Sequence, residues 1–229
     1  MMMTVNWQPQ AIIFDMDGLL VDSEPVWHAA EADLIESRGH QYTKEVRAQI
    51  IGLRVDEFFE KLNAVYHFDE SIDELYSELM DRMLRLIPRK VKPQPGAAEL
   101  VAYVQGSGLP TAIASSSPMS IINATVVSQG WEHVFSLRCS ADDDARGKPA
   151  PDVYLRAARL LGVAPENCLA LEDSPAGARA AVAAGMTCYA VPDSTHSGPD
   201  AFQDITPHVF ADLHDVLRQL NDMPDLYAD

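Results

Sequence analysis

"AIIFDMDGLL" occupies residues 11–20, and its first five residues decide the fold. A short unbroken apolar run that stops at an acidic turn is the pattern of a parallel strand buried on both faces. Four similar runs come later in the chain: PTAIAS (110–115), VFSLRCS (134–140), CLALED (168–173) and TCYAVP (187–192). Helical patterns lie between most of them. KPAPDVYLRAARLLG (148–162) sets Val153, Ala157 and Leu160 on one face, with Pro151 near its start and Gly162 at its end. SPAGARAAVAAG runs from Ser174 as cap to Gly185. Strands alternating with helices predict an α/β fold built on a doubly wound parallel sheet.

The alternation fails once. Between the first and second runs no strand pattern appears, and three helical stripes take its place: Trp27, Ala30 and Leu34; Val55, Phe58, Phe59, Leu62 and Tyr66; Ile72, Leu75, Tyr76, Leu79 and Met83. Residues 21–92 therefore read as an all-helical domain inserted after the first strand, with 1–20 and 93–229 forming the sheet domain. The exit segment PRKVKPQPG (88–96) has the prolines and glycine of a hinge.

Composition narrows the partners. With 34 Asp and Glu against 17 Lys and Arg, the formal net charge of −17 argues against nucleic acid and anionic membranes. No run approaches the ~20 apolar residues of a membrane span, and the first residues lack a signal-peptide pattern. Cys139, Cys168 and Cys188 show no metal-ligand spacing, and the histidines form neither HxH nor HExxH. A monomeric, cytoplasmic protein with reduced, buried thiols is expected.

In an open parallel sheet, ligands bind beyond the carboxyl ends of the strands. The residues at those ends are then informative: Asp15 and Asp17, then Ser115 to Ser117, then Lys148, then Glu172 and Asp173. Converging carboxylates repel one another unless a cation neutralises them, and an all-oxygen donor set favours Mg²⁺. A hard cation, a lysine and a hydroxyl beside carboxylates make a place for a phosphate group. Aspartate can attack phosphorus to give an aspartyl-phosphate, and a second carboxylate can move the proton. Asp15 and Asp17 suit those two roles.

FDMDGLLVDSEP, IASSS, GKPAPDVY and LEDSPAG stand in this order along the chain, and the set resembles the haloacid dehalogenase superfamily. More narrowly it is similar to the branch with a helical cap of C1 type, which holds β-phosphoglucomutases and sugar phosphatases of the hexitol and 2-deoxyglucose-6-phosphate type. The resemblance implies a Rossmann-like core and a Mg²⁺-dependent phosphatase acting on a small phosphorylated metabolite such as a sugar phosphate. It makes Asp15 the nucleophile and Asp17 the acid/base, which also gives its backbone carbonyl to the metal. Ser115 and the Ser116 amide would hold phosphoryl oxygens, and Lys148 would bridge phosphoryl group and nucleophile. Asp173 would ligate Mg²⁺ directly, with Glu172 doing so directly or through water. A cap segment resembling IIGLR (50–54) makes Gly52 and Arg54 specificity candidates, and Glu24 is a third.

Three other activities compete. A sugar phosphomutase shares every core motif, but the family's mutases carry a histidine where this chain has Trp27. A dehalogenase would need neither Mg²⁺ nor Asp17. A phospho-acceptor signalling domain would lack both the helical insertion and a carboxylate two residues beyond the acceptor.

Overall fold

The computed structural model describes residues 7–50, 55–193 and 197–223. The chain divides into two compact units, Met1–Asp22 with Lys92–Asp229, and Ser23–Val91.

The first unit is built on a five-stranded parallel sheet. Its strands are β1 (Ala11–Phe14), β4 (Thr111–Ser115), β5 (Leu137–Ser140), β6 (Cys168–Glu172) and β7 (Thr187–Ala190), in the order β5-β4-β1-β6-β7. All four β1 side chains are fully buried, as expected of a central strand covered on both faces. The chain steps outward from β1 to β4 and β5, then crosses back to β6 on the other side, so β1 stands where the winding reverses. Alternate side chains separate the two layers. Ile13, Ala112, Cys139 and Ala170 meet α7 (Asp152–Leu161) and α8 (Pro175–Ala183). On the opposite face Phe14 meets Phe135 edge to face at 5.2 Å, and α5 (Ala97–Ser107) packs on α9 (Leu213–Asn221). The helix α6 (Met119–Gln129) joins β4 to β5.

Local signals explain most boundaries. Ser174 caps α8 by accepting from the Gly177 amide at 3.1 Å, and Pro175 opens the helix. The run VFSLRCS yields a strand only from Leu137, because Val134 and Phe135 donate backbone hydrogen bonds to the Trp131 carbonyl and belong to the turn after α6. Leu160 does not share the buried face expected of it and is 53% exposed. At about 100° per residue, the buried arc of α7 runs from Val153 through Ala157 to Tyr154 and Ala158, and Leu160 falls just outside it.

The sequence pattern misses a short antiparallel ribbon in this unit, in which β2 (Val21–Asp22) pairs with β3 (Lys92–Pro93). Strands of two residues carry no periodicity to detect.

The second unit holds α1 (Glu24–Glu36), α2 (Lys44–Ile50), α3 (Val55–Tyr66) and α4 (Ile72–Lys90). Helices α1 and α4 make the main packing, through Ala30 and Leu34 on one and Leu75, Leu79 and Met83 on the other. Ile72 departs from the expected stripe and is 41% exposed in the first turn of α4. The segment expected to act as a hinge from Pro88 onward is helical at its start. Helix α4 continues through Pro88 to Lys90, because buried Ile87 holds the last turn and its carbonyl accepts from Val91 N at 3.1 Å. Arg82 is nearly buried and bonds Asp33 at 2.8 Å and Ser37 at 3.0 Å, which ties α4 to α1.

Candidate active site

β1 ends at Phe14, which pairs with Ile113 of β4 and Leu171 of β6. The next residue of each strand or turn is thereby brought to one level: Asp15, Ala114 and Glu172. The Asp15 amide donates to the Leu171 carbonyl at 2.9 Å, which anchors the aspartate where the sheet opens. The chain then turns through Gly18, whose φ of +86° favours glycine. A Cβ at Gly18 would stand 2.2 Å from Asp173 Oδ2, so its bareness also admits that carboxylate.

Lys148 organises the centre. Its ammonium donates to Asp15 Oδ1 at 2.5 Å, to Glu172 Oε1 at 2.6 Å and to the Ala114 carbonyl at 3.0 Å. All three protons of a lysine are thus committed. Burial works against its charge, but Asp15 and Glu172 more than offset that and hold its pKa above the usual value. The Lys148–Pro149 peptide that delivers it is cis.

The carboxylates differ in their surroundings. Asp15 is 6% exposed, and burial, reinforced by Glu172 and Asp17 and opposed by Lys148, pushes its pKa up to about 8. Burial likewise raises Asp173, with Asp15 and Glu172 adding to it. Among the described residues, no other side chain or amide donates to Asp15 Oδ2, and none beyond its own backbone to the Asp173 carboxylate. Glu172, fully buried, is the opposite case. Its Oε1 accepts from Lys148 and from Tyr154 Oη at 2.7 Å; its Oε2 accepts from Asp173 N, Ser174 N and Ser174 Oγ at 3.1–3.2 Å.

Asp17 Oδ2 accepts from Ser117 Oγ at 2.8 Å and from Ser115 Oγ at 3.2 Å. Its Oδ1 is buried with no partner among the described residues. Ser115 Oγ also accepts from the Ser117 amide at 3.0 Å, while Ser116 between them is exposed.

A divalent cation fits this donor set. Oxygen atoms of Asp15, Glu172 and Asp173 lie within 4.8 Å of one another, and carboxylates with few donors from the protein are what a hard ion takes. Glu172 belongs to that cluster by distance, yet its oxygens are already filled, so Asp15 and Asp173 are the better ligands. A bound cation would reverse the upward push on both.

Asp15, Asp17, Ser115, Lys148, Glu172 and Asp173 therefore come together at one sheet edge, with Ser116 beside them. Glu24 opens α1 in the helical unit and pairs with Arg47 there. Gly52 and Arg54 lie outside the described residues. Sequence reasoning placed Ser117 at the strand end with Ser115 but gave it no role of its own, and it did not single out Tyr154 or Gly177. Tyr154 and Gly177 stand within the motifs GKPAPDVY and LEDSPAG, which was the only signal for them.

A family model for haloacid dehalogenase-like hydrolases matches residues 9–185. Hexitol phosphatase B of Escherichia coli K12 is 35% identical over 192 residues, covering 83% of this chain and 86% of that protein. A phosphorylated carbohydrates phosphatase of Thermotoga maritima is 30% identical over 190 residues, covering 82% and 88%. Among solved structures, a HAD family hydrolase from Deinococcus radiodurans with bound phosphate and sodium superposes with a TM-score of 0.72. It is 27% identical, and the match covers 94% of this chain and 96% of that one.

Proposed function

The chain belongs to the haloacid dehalogenase-like hydrolases and is a phosphatase, and on that premise we propose a Mg²⁺-dependent phosphomonoester hydrolase working through an aspartyl-phosphate on Asp15. The observation that carries this reading is the asymmetry of Asp15: Lys148 grips one oxygen at 2.5 Å, and among the described residues no donor reaches the other. A carboxylate so held presents one oxygen for attack.

Asp15 Oδ2 forms a bond to phosphorus as the bond to the leaving oxygen breaks, and Asp17 delivers its proton to that oxygen. Asp17 then takes a proton from water, whose oxygen attacks the same phosphorus and releases Asp15. Ser115 and Ser117 hold Asp17 through Oδ2 and leave Oδ1 for the proton. The Ser116 amide and the Lys148 ammonium offset charge growing on the phosphoryl oxygens. Mg²⁺ would be held by Asp15, Asp173 and the Asp17 backbone carbonyl, with Glu172 behind them, and when bound would neutralise the gathered negative charge.

The substrate class proposed is a small sugar phosphate, supported by the names of the two curated relatives. The helical unit serves as the cap that selects it, with Glu24, Gly52 and Arg54 as specificity residues. Trp27, in place of a mutase histidine, favours water as the acceptor. A monomeric cytoplasmic enzyme completes the proposal.

Asp15→Asn tests it. Hydrolysis of p-nitrophenyl phosphate with Mg²⁺ should vanish while the circular dichroism spectrum stays parent-like; substantial residual turnover would remove Asp15 as nucleophile. Phosphate release from hexose, pentose, polyol and nucleotide phosphates then identifies the substrate. Glucose 1-phosphate in the same panel tests for isomerisation.

A further inference from the structure

We propose that Tyr154 is a positioning residue for this reaction: through Glu172 it fixes the Lys148 ammonium against Asp15. The inference rests on the phosphatase reading above and extends it to a side chain outside the reacting set.

Tyr154 is fully buried on the inner face of α7. A buried hydroxyl needs a partner, and among the described residues it donates to Glu172 Oε1 at 2.7 Å. That oxygen is the same one that holds Lys148, and the ammonium also lies 5.1 Å from the centre of the Tyr154 ring. The tyrosine therefore touches the lysine with its ring face and the lysine's counter-charge with its hydroxyl.

The state of Glu172 makes this contact consequential. A carboxylate offers about four lone-pair sites, and here five donors converge on them. Both Glu172 oxygens are engaged by the protein itself, and the carboxylate can turn in no direction without losing a bond. Its role becomes that of an anchor, and Lys148 takes its position from it. Without the hydroxyl, Oε1 has only the lysine. The carboxylate can then rotate and draw the ammonium away from Asp15.

Tyr154→Phe removes the hydroxyl and keeps the ring. With p-nitrophenyl phosphate and saturating Mg²⁺, at a temperature where circular dichroism shows every variant folded, kcat should fall about tenfold, the scale of one hydrogen bond to a charged group. KM and the Mg²⁺ dissociation constant from titration calorimetry should each stay within about twofold. In a Glu172→Gln background the same change should cost less than about twofold, because the tyrosine acts through that carboxylate. A parent-like kcat in Tyr154→Phe overturns the proposal. So do losses that multiply in the double variant, or Mg²⁺ binding weakened about tenfold. Asp15→Asn, assayed alongside, separates the two readings. If it is inactive while Tyr154→Phe is parent-like, only the positioning role falls; if it turns over at the parent rate, the phosphatase mechanism falls.

Discussion

Gly177→Ala should destabilise this protein although it replaces glycine by alanine inside a helix. Glycine costs about 1 kcal/mol relative to alanine in a helix interior, so propensity alone predicts a gain. At Gly177, however, an added Cβ would stand 1.7 Å from Glu172 Oε1, 2.0 Å from Cδ and 2.2 Å from Oε2. No rotation of a methyl group relieves that, and the carboxylate is buried among fixed donors, so it must move. Displacing it breaks contacts to Lys148 and Tyr154 on one side or to the Asp173 and Ser174 amides on the other. Two lost hydrogen bonds to a charged group are worth about 3–6 kcal/mol. Setting the propensity gain against this leaves a net loss of about 2–5 kcal/mol. At about 2–4 °C per kcal/mol for a chain of this size, the thermal midpoint should drop by about 4–20 °C. Gly106→Ala supplies the control. Gly106 lies in α5, where an added Cβ meets nothing within 4 Å, so the same chemical change should be neutral or stabilise by up to about 1 kcal/mol. Thermal unfolding followed by circular dichroism reads both. If Gly177→Ala melts at or above the parent temperature, the packing of Glu172 under the start of α8 is not as described.

Four further outcomes are expected. Asp17→Asn should slow both formation and hydrolysis of the phosphoenzyme in rapid-quench experiments; unchanged rates for both would exclude it as the proton carrier. EDTA should abolish turnover and added Mg²⁺ should restore it, whereas activity that survives chelation contradicts the metal assignment. Ser71 and Glu74 form a reciprocal cap at the start of α4, so Ser71→Ala should cost about 1 kcal/mol in denaturant unfolding. Hydrogen bonds from Arg38 and Arg82 hold Glu78 below its ordinary pKa of 4.5. A depressed carboxylate stabilises the fold above its unfolded pKa and loses that contribution as pH falls through the folded value. Glu78→Gln should therefore lower the thermal midpoint at neutral pH, with the gap to the parent closing below pH 4.5.

Much of the core was legible because each strand is short, apolar and closed by a polar turn. That rule located β1, β4, β6 and β7 and, from the polar residues at the carboxyl ends of the first three, Asp15, Ser115, Glu172 and Asp173. Lys148 was legible from its motif, GKPAPDVY. Tyr154 was not, for a physical reason. On an amphipathic helix an inward tyrosine looks like any core residue, and only the placement of Glu172 beneath it turns the hydroxyl into part of the site. Gly177 was hidden in the same way, since a glycine in an alanine-rich helix shows its purpose only through the carboxylate against it. Ser117 shares a serine run with Ser115, and the run does not say which hydroxyl reaches Asp17. Leu160 and Ile72 failed at helix ends, where a small change in the buried arc decides which side chain faces solvent.

The β2–β3 ribbon has a consequence for how such a chain can change over evolutionary time. Val21 lies opposite Pro93 and Asp22 opposite Lys92, so the sheet domain's chain departs and returns at adjacent points. A two-residue turn would suffice to close that gap. The core's threading is therefore indifferent to what the ribbon carries, whether a tight hairpin or several helices. If the helical unit selects the substrate as proposed, that choice can be rewritten by exchanging the passenger, while the strands that present the aspartates keep their order and register.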